Sequence, residues 1–153
     1  MKTKGLCLIF IFTLLISCSD NHFRRFDILP EDQRWQAFDV KVYEFEIEND
    51  SQFYSIVFQF SHVYGYQFST IPMNFTLKSP DGKTEVIDID LAIADDSGKQ
   101  LGDCSGDVCD LFYTVKERTK LQKGKYKVTV SHSFKGPFLP NVIGIGLAVQ
   151  NEK

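Results

Sequence analysis

Residues 124–134 alternate without interruption: Tyr126, Val128, Val130, His132 and Phe134 fall on one side, with Lys127, Thr129 and Ser131 on the other. This period of two is the signature of a half-buried strand. Near the C-terminus Ile143, Ile145, Leu147 and Val149 repeat it, but Gly144, Gly146 and Ala148 leave the second face nearly bare. A neighbour packs closely on such a face. Residues 53–60 are denser in apolar side chains, with Ile56, Phe58 and Phe60 in phase, which predicts a central strand. In residues 38–47 the alternation Phe38, Val40, Val42 slips once to Phe45 and Ile47, which predicts a bulge. Ser79-Pro80-Asp81-Gly82 places Pro and Gly where a β-turn wants them, so residues 72–91 read as a hairpin. Residues 92–110 are rich in Asp and Gly and predict a long structured loop, followed by a short strand over 111–118. About seven to eight short strands with no helical periodicity predict an all-β domain. The expected form is an antiparallel β-sandwich, jelly-roll-like or immunoglobulin-like, over residues 37–153.

The start of the chain has a different character. Lys2 and Lys4 precede an apolar stretch over residues 6–16, which has signal-peptide length and is too short to span a bilayer as a helix. It ends in Leu15-Ile16-Ser17-Cys18, a small residue before a cysteine, as in the lipobox of bacterial lipoproteins. On that reading residues 1–17 are removed and Cys18 is acylated as the new N-terminus, with an ordinary secretory signal as the rival reading. Polar, mixed-charge residues 18–36 then read as a lipidated tether, and Trp35 begins the packed part.

Cleavage removes Lys2 and Lys4, leaving 15 basic and 20 acidic residues and a formal charge of −5. That balance argues against nucleic acid, or an anionic membrane surface, as a partner. Fourteen Phe and six Tyr in a chain of 153 residues fit strands better than helices. Of the four cysteines, Cys7 belongs to the signal and Cys18 to the lipid, so Cys104 and Cys109 remain as an even pair in an exported domain. A disulfide is expected there, with free thiols or a metal pair as competitors.

Chemistry is sparse. There is no nucleophile elbow and no zinc-binding helix, and His62 and His132 are the only histidines in the strand-rich part. His132 is in phase with core positions and reads as a buried, hydrogen-bonded side chain; His62 reads as a solvated residue at a strand end. Asp95, Asp96, Asp103 and Asp107 are candidates for calcium through carboxylate and backbone oxygens. Asp and Gly are also what turns use, so no metal site is firmly expected. Tyr64, Tyr66 and Phe68 around Gly65 form a candidate aromatic patch for stacking on sugar rings or a protein partner.

Taken in order, Ser79-Pro80-Asp81-Gly82-Lys83, Leu91-Ala92-Ile93-Ala94-Asp95 through Gly98-Lys99-Gln100-Leu101-Gly102, Gly124-Lys125-Tyr126 and Ile143-Gly144-Ile145-Gly146-Leu147 carry a resemblance. The chain resembles the GldH gliding-motility lipoproteins of the Bacteroidota over nearly its whole mature length. Gln100 stands where members often carry an aromatic, and the Cys104/Cys109 pair departs from the family pattern. The resemblance implies a non-catalytic envelope lipoprotein serving gliding machinery linked to type IX secretion, with no catalytic residues or cofactor to carry over. Its implied partners are the membrane, through the lipid, and an envelope protein complex. An outer-membrane location is favoured, with its periplasmic or surface face open. A carbohydrate-binding or adhesion module on a lipid anchor is the alternative, motivated by Tyr64, Tyr66 and Phe68.

Overall fold

The computed structural model describes residues 21–152, and every regular element among them is a strand. In chain order these are β1 (Asn21–Ile28), β2 (Trp35–Gln36), β3 (Lys41–Ile47), β4 (Phe53–Val63), β5 (Thr70–Lys78) and β6 (Thr84–Ala92). They continue as β7 (Asp103–Ser105), β8 (Val108–Lys120), β9 (Gly124–His132), β10 (Phe138–Leu139) and β11 (Val142–Glu152). All pairings are antiparallel, in a five-stranded sheet β1-β11-β4-β8-β7, a four-stranded sheet β3-β9-β5-β6 and a small pair β10-β2. Eight strands have seven or more residues, and β2, β7 and β10 are the short additions.

The two large sheets face each other across one aromatic core. Phe58 of β4 meets Phe75 of β5 edge to face at 5.2 Å, and Phe23 of β1 lies 5.6 Å from Phe45 of β3. Tyr43 crosses the same gap, its buried hydroxyl donating to the Ile145 carbonyl at 3.1 Å. Burial first, and the Asp27 charge second, push the pKa of that hydroxyl well up, so it stays a donor. As its apolar density predicts, β4 is central, with β11 on one side and β8 on the other. The β5–β6 hairpin turns at residues 79–83, where Gly82 adopts φ 83°. A side chain at Gly124 would come within 2.8 Å of the Pro80 ring, so this turn rests on the start of β9.

Four expectations are corrected. Residues 21–28 are not tether but edge strand β1, paired with β11 from Asn21 opposite Gln150 to Ile28 opposite Gly144. Leu29 and Trp35 are buried, so the fold begins well before residue 37. The phase slip in residues 38–47 is not a bulge. β3 pairs with β9 in unbroken register, burying Tyr43, Phe45 and Ile47, while Phe38, Val40 and Val42 are exposed. The expected long loop is broken by β7 and the start of β8, and β8 runs for 13 residues, well beyond 111–118. His62 is fully buried, its Nδ1 donating to the Val63 carbonyl at 2.9 Å, because β4 continues through it. His132 is buried as expected and donates from Nε2 to the Trp35 carbonyl at 3.1 Å.

Candidate docking surface

Antiparallel register lays out the outer face of the five-stranded sheet in rows. Ile28, Gly144, Ser61 and Asp110 form one row; Phe26, Gly146, Gln59 and Phe112 form the next; Arg24, Ala148, Val57 and Thr114 form a third. The middle of this face is low, because β11 contributes only Gly144, Gly146 and Ala148. The Phe26 ring lies over the two glycines: a Cβ on Gly144 would approach it to 2.3 Å, and one on Gly146 to 2.9 Å. Ile28 is 78% exposed and Phe112 51% exposed at opposite edges of the face. Between them Gln59 Nε2 donates to Asp110 at 3.1 Å, and the Ser61 hydroxyl donates to the same carboxylate.

The outer face of the four-stranded sheet is the opposite in character. Glu44 stands opposite Lys127 and Glu46 opposite Lys125, Asn74 donates to Asp88 at 2.7 Å, and Thr76 bonds Thr129. Its groove of about 720 Å³ is open and lined by those same alternating charges. A sparsely charged face with exposed aromatic and aliphatic side chains suits protein contact, since such side chains lose little on desolvation. Sequence reasoning missed Phe26, Ile28 and Phe112; the bare Gly144/Gly146/Ala148 face was its only trace.

The sites expected from sequence fare unequally. Tyr64 is 61% exposed, but Tyr66 is buried against Phe60, His62 and Phe68, and Phe68 is half-buried against Phe134. The proposed aromatic platform is therefore corrected: the loop folds back and two of its three rings pack inward. Cys104 and Cys109 are disulfide-bonded across the β7–β8 hairpin, with Cα atoms 4.0 Å apart. The four candidate calcium ligands are not brought together. Asp95 accepts from the Ser97 hydroxyl and from the backbone N–H groups of Ser97 and Lys99, bonds that hold its pKa below the usual range. Asp103 pairs across the hairpin with Asp110, and Asp107 sits in its turn. Among the described residues no group of three or more His, Cys, Asp or Glu side chains is arranged to hold a metal. Cys18 lies outside the described residues, as does the signal stretch.

A family model described as GldH lipoprotein matches residues 22–149, which is nearly all of the described domain. The chain belongs to the GldH lipoprotein family. A relative in Christiangramia forsetii, described as a gliding motility lipoprotein GldH homolog, is 24% identical over 136 residues, covering 88% of this chain and 84% of the relative. Membership makes the protein a membrane-anchored lipoprotein of the cell envelope, in a family named for gliding motility. Among solved structures, dimeric latent PorU from Porphyromonas gingivalis is similar at a TM-score of 0.37 and 11% identity over 86% of this chain, which spans 13% of PorU. A family 35 carbohydrate binding module from Clostridium thermocellum is similar at a TM-score of 0.30 and 14% identity, covering 74% of this chain and 95% of the module. Scores this low carry no inference about fold or function.

Proposed function

We propose that this GldH-family protein is a non-catalytic component of the gliding-motility apparatus linked to type IX secretion. In this reading Cys18 carries the lipid, the outer membrane holds it, and a β-sandwich docks on other envelope proteins. The observation that carries the reading is the outer face of the five-stranded sheet, where Phe26, Ile28 and Phe112 are exposed on a sparsely charged surface. Catalysis has little to work with in the domain's interior: His62 and His132 are both buried with their Nδ1 or Nε2 bonded to backbone carbonyls. The glycan-binding alternative loses its motive, because Tyr66 and Phe68 turn inward.

The test is co-purification from detergent-solubilised envelopes with Ile28→Lys and Phe112→Lys together. Loss of secretion or motility proteins from the eluate, at unchanged abundance of the variant, supports the reading. Recovery of the same partner set from wild type and variant would overturn this face as the docking surface. Replacing Cys18 with Ser tests the anchor separately: the protein leaves the membrane fraction if Cys18 carries the lipid.

A further inference from the structure

We infer that the free edge of β6 is a strand-addition site. Its occupant is an extended segment of another protein, alternating apolar and basic residues, which pairs antiparallel with residues 86–92 and fills the slot between β6 and β8. This edge belongs to the other sheet from Phe26 and Phe112, so it stands or falls apart from that docking face.

The first observation is that the other edges of the two large sheets are guarded. In β1, Arg25 and Asp27 lie in the inward row with Leu147 and Ile145 and pair with each other at 3.0 Å. In β3 the inward Tyr43, Phe45 and Ile47 are each 5% exposed or less, so nothing there is left to cover. Strand β7 is three residues long, and it covers only the start of β8. Beyond it β8 shifts register twice against β4 around Ile56, and Arg118 adopts φ 38°, irregularities that spoil a template. Strand β6 instead keeps unbroken register with β5 from Thr84 opposite Lys78 to Ala92 opposite Thr70, and among the described residues no strand pairs with its other side. A long, regular edge presents a row of N–H and C=O groups to a further strand.

The second observation is an unfinished core along the same edge. Ile87 and Ile89 share the inward row with Phe75 and Met73, yet both are only half-buried, whereas Phe75 and Met73 are fully covered. Tyr113 and Val115 of β8 are also half-buried against the core. Both strands lie on one side of the sandwich, since Lys116 of β8 reaches Glu85 of β6 at 2.6 Å. That pair closes one end of the slot and uses the single inward charge of β6, with Glu117 and Arg118 following on β8 at the same end. From residue 86 onward, alternate apolar side chains of an added strand would point inward and cover both rims.

The third observation selects the chemistry of the occupant. The outward row of β6 carries Asp88 and Asp90, which stand opposite Asn74 and Pro72, so β5 offers neither a cation. Lys78, the one charged residue of β5, is at the closed end opposite Thr84. The segment after β6 adds Asp95 and Asp96, with Lys99 bonded to Asp95. Opposite charges directly across a strand pair stabilise it, so the outward residues of the partner are basic. A second copy paired antiparallel about Asp88, the midpoint of β6, would set aspartate opposite aspartate, which disfavours self-pairing.

The experiment titrates full-length protein in a non-ionic detergent with an acetylated, amidated peptide, Val-Lys-Val-Lys-Val-Lys-Val, matched in length to residues 86–92. Saturable binding is expected, with amide hydrogen exchange in residues 84–92 slowed at least about tenfold and the edges β1 and β3 unchanged. Asp88→Lys/Asp90→Lys, a surface change, should weaken this peptide about tenfold and favour the glutamate version of it. A peptide of the same composition with its valines and lysines in separate blocks should not protect β6. Equal binding of the blocked peptide, protection at β1 or β3 in place of β6, or indifference to the charge reversal overturns the proposal. So does a concentration-dependent dimer that protects β6 without peptide, which would make a second copy the occupant.

Discussion

The Phe26 ring occupies the space that a side chain at Gly144 would fill: a Cβ there would lie 2.3 Å from the ring and 3.0 Å from the Asp27 carbonyl oxygen. Glycine at 144 is therefore what lets edge strand β1 lie close on β11 with its aromatic folded over the seam. Gly144→Ala is expected to cost about 1–3 kcal/mol, the usual range for overpacking, read as a lower urea midpoint. Removing the ring relieves only part of the clash, because the backbone oxygen stays. In Phe26→Ala/Gly144→Ala the two losses should add to less than their sum, and strict additivity would show that the ring is not the obstacle.

The disulfide joins residues that already face each other across a hairpin, closing a loop of six residues. In the chain-entropy model such a loop is worth about 2 kcal/mol. Cys109 is fully buried and Cys104 exposed, so the fair variant is Cys104→Ser with Cys109→Ala. Its expected stability loss is about 2 kcal/mol, with faster amide hydrogen exchange confined to residues 102–111. Exchange rising across β4 and β11 as well would mean that the bridge holds the sheet and not just its edge.

Much of this architecture is legible in the chain because local chemistry and burial agree. The 79–82 turn, the alternation along β9 and the dense apolar pattern of β4 each point where the fold goes. β1 is hidden for the opposite reason: as an edge strand it shows Arg24 and Arg25 to solvent, and a strand with two adjacent arginines reads as a tether. Apolar Val40, just before β3, and Val42 within it are exposed, which shifts the apparent phase away from Tyr43, Phe45 and Ile47. The candidate docking face was unreadable because its exposed residues come from β1 and β8, far apart in sequence, and meet only across β11 and β4. Tyr66 and Phe68 looked like a surface patch because a loop's sequence does not record which way it folds.

Stability should fall as the solution is acidified below neutrality. Burial lowers the pKa of both His62 and His132 from the ordinary 6.5; backbone hydrogen bonds and, for His62, the Asp110 charge oppose this and are outweighed. Below about pH 6.5 the unfolded chain takes up protons at these positions that the folded protein does not. The folded state is then disfavoured by up to about 1.4 kcal/mol per pH unit for each histidine, until its own lowered pKa is reached. Above that window neither contributes. Urea midpoints between pH 7.5 and 5.5 should fall less steeply in His62→Gln, and parallel profiles for variant and wild type would contradict the assignment.

Two buried tyrosines should respond oppositely to loss of the hydroxyl. Tyr43 donates to the Ile145 carbonyl, so Tyr43→Phe strips a partner from a buried acceptor, at an expected cost of about 1–2 kcal/mol. Tyr66 is buried with no hydrogen-bond partner for its hydroxyl among the described residues, while its ring packs on Phe60, His62 and Phe68. Tyr66→Phe keeps the ring contacts and removes an unsatisfied polar atom, so stability should be unchanged or rise by up to about 1 kcal/mol. Tyr66→Ala, which empties the site, should instead cost about 3–5 kcal/mol, as for other large aromatic truncations. Thermal melts of the three variants check both signs. A loss above about 1 kcal/mol in Tyr66→Phe would show that its hydroxyl is bonded in solution, with a trapped water as the partner.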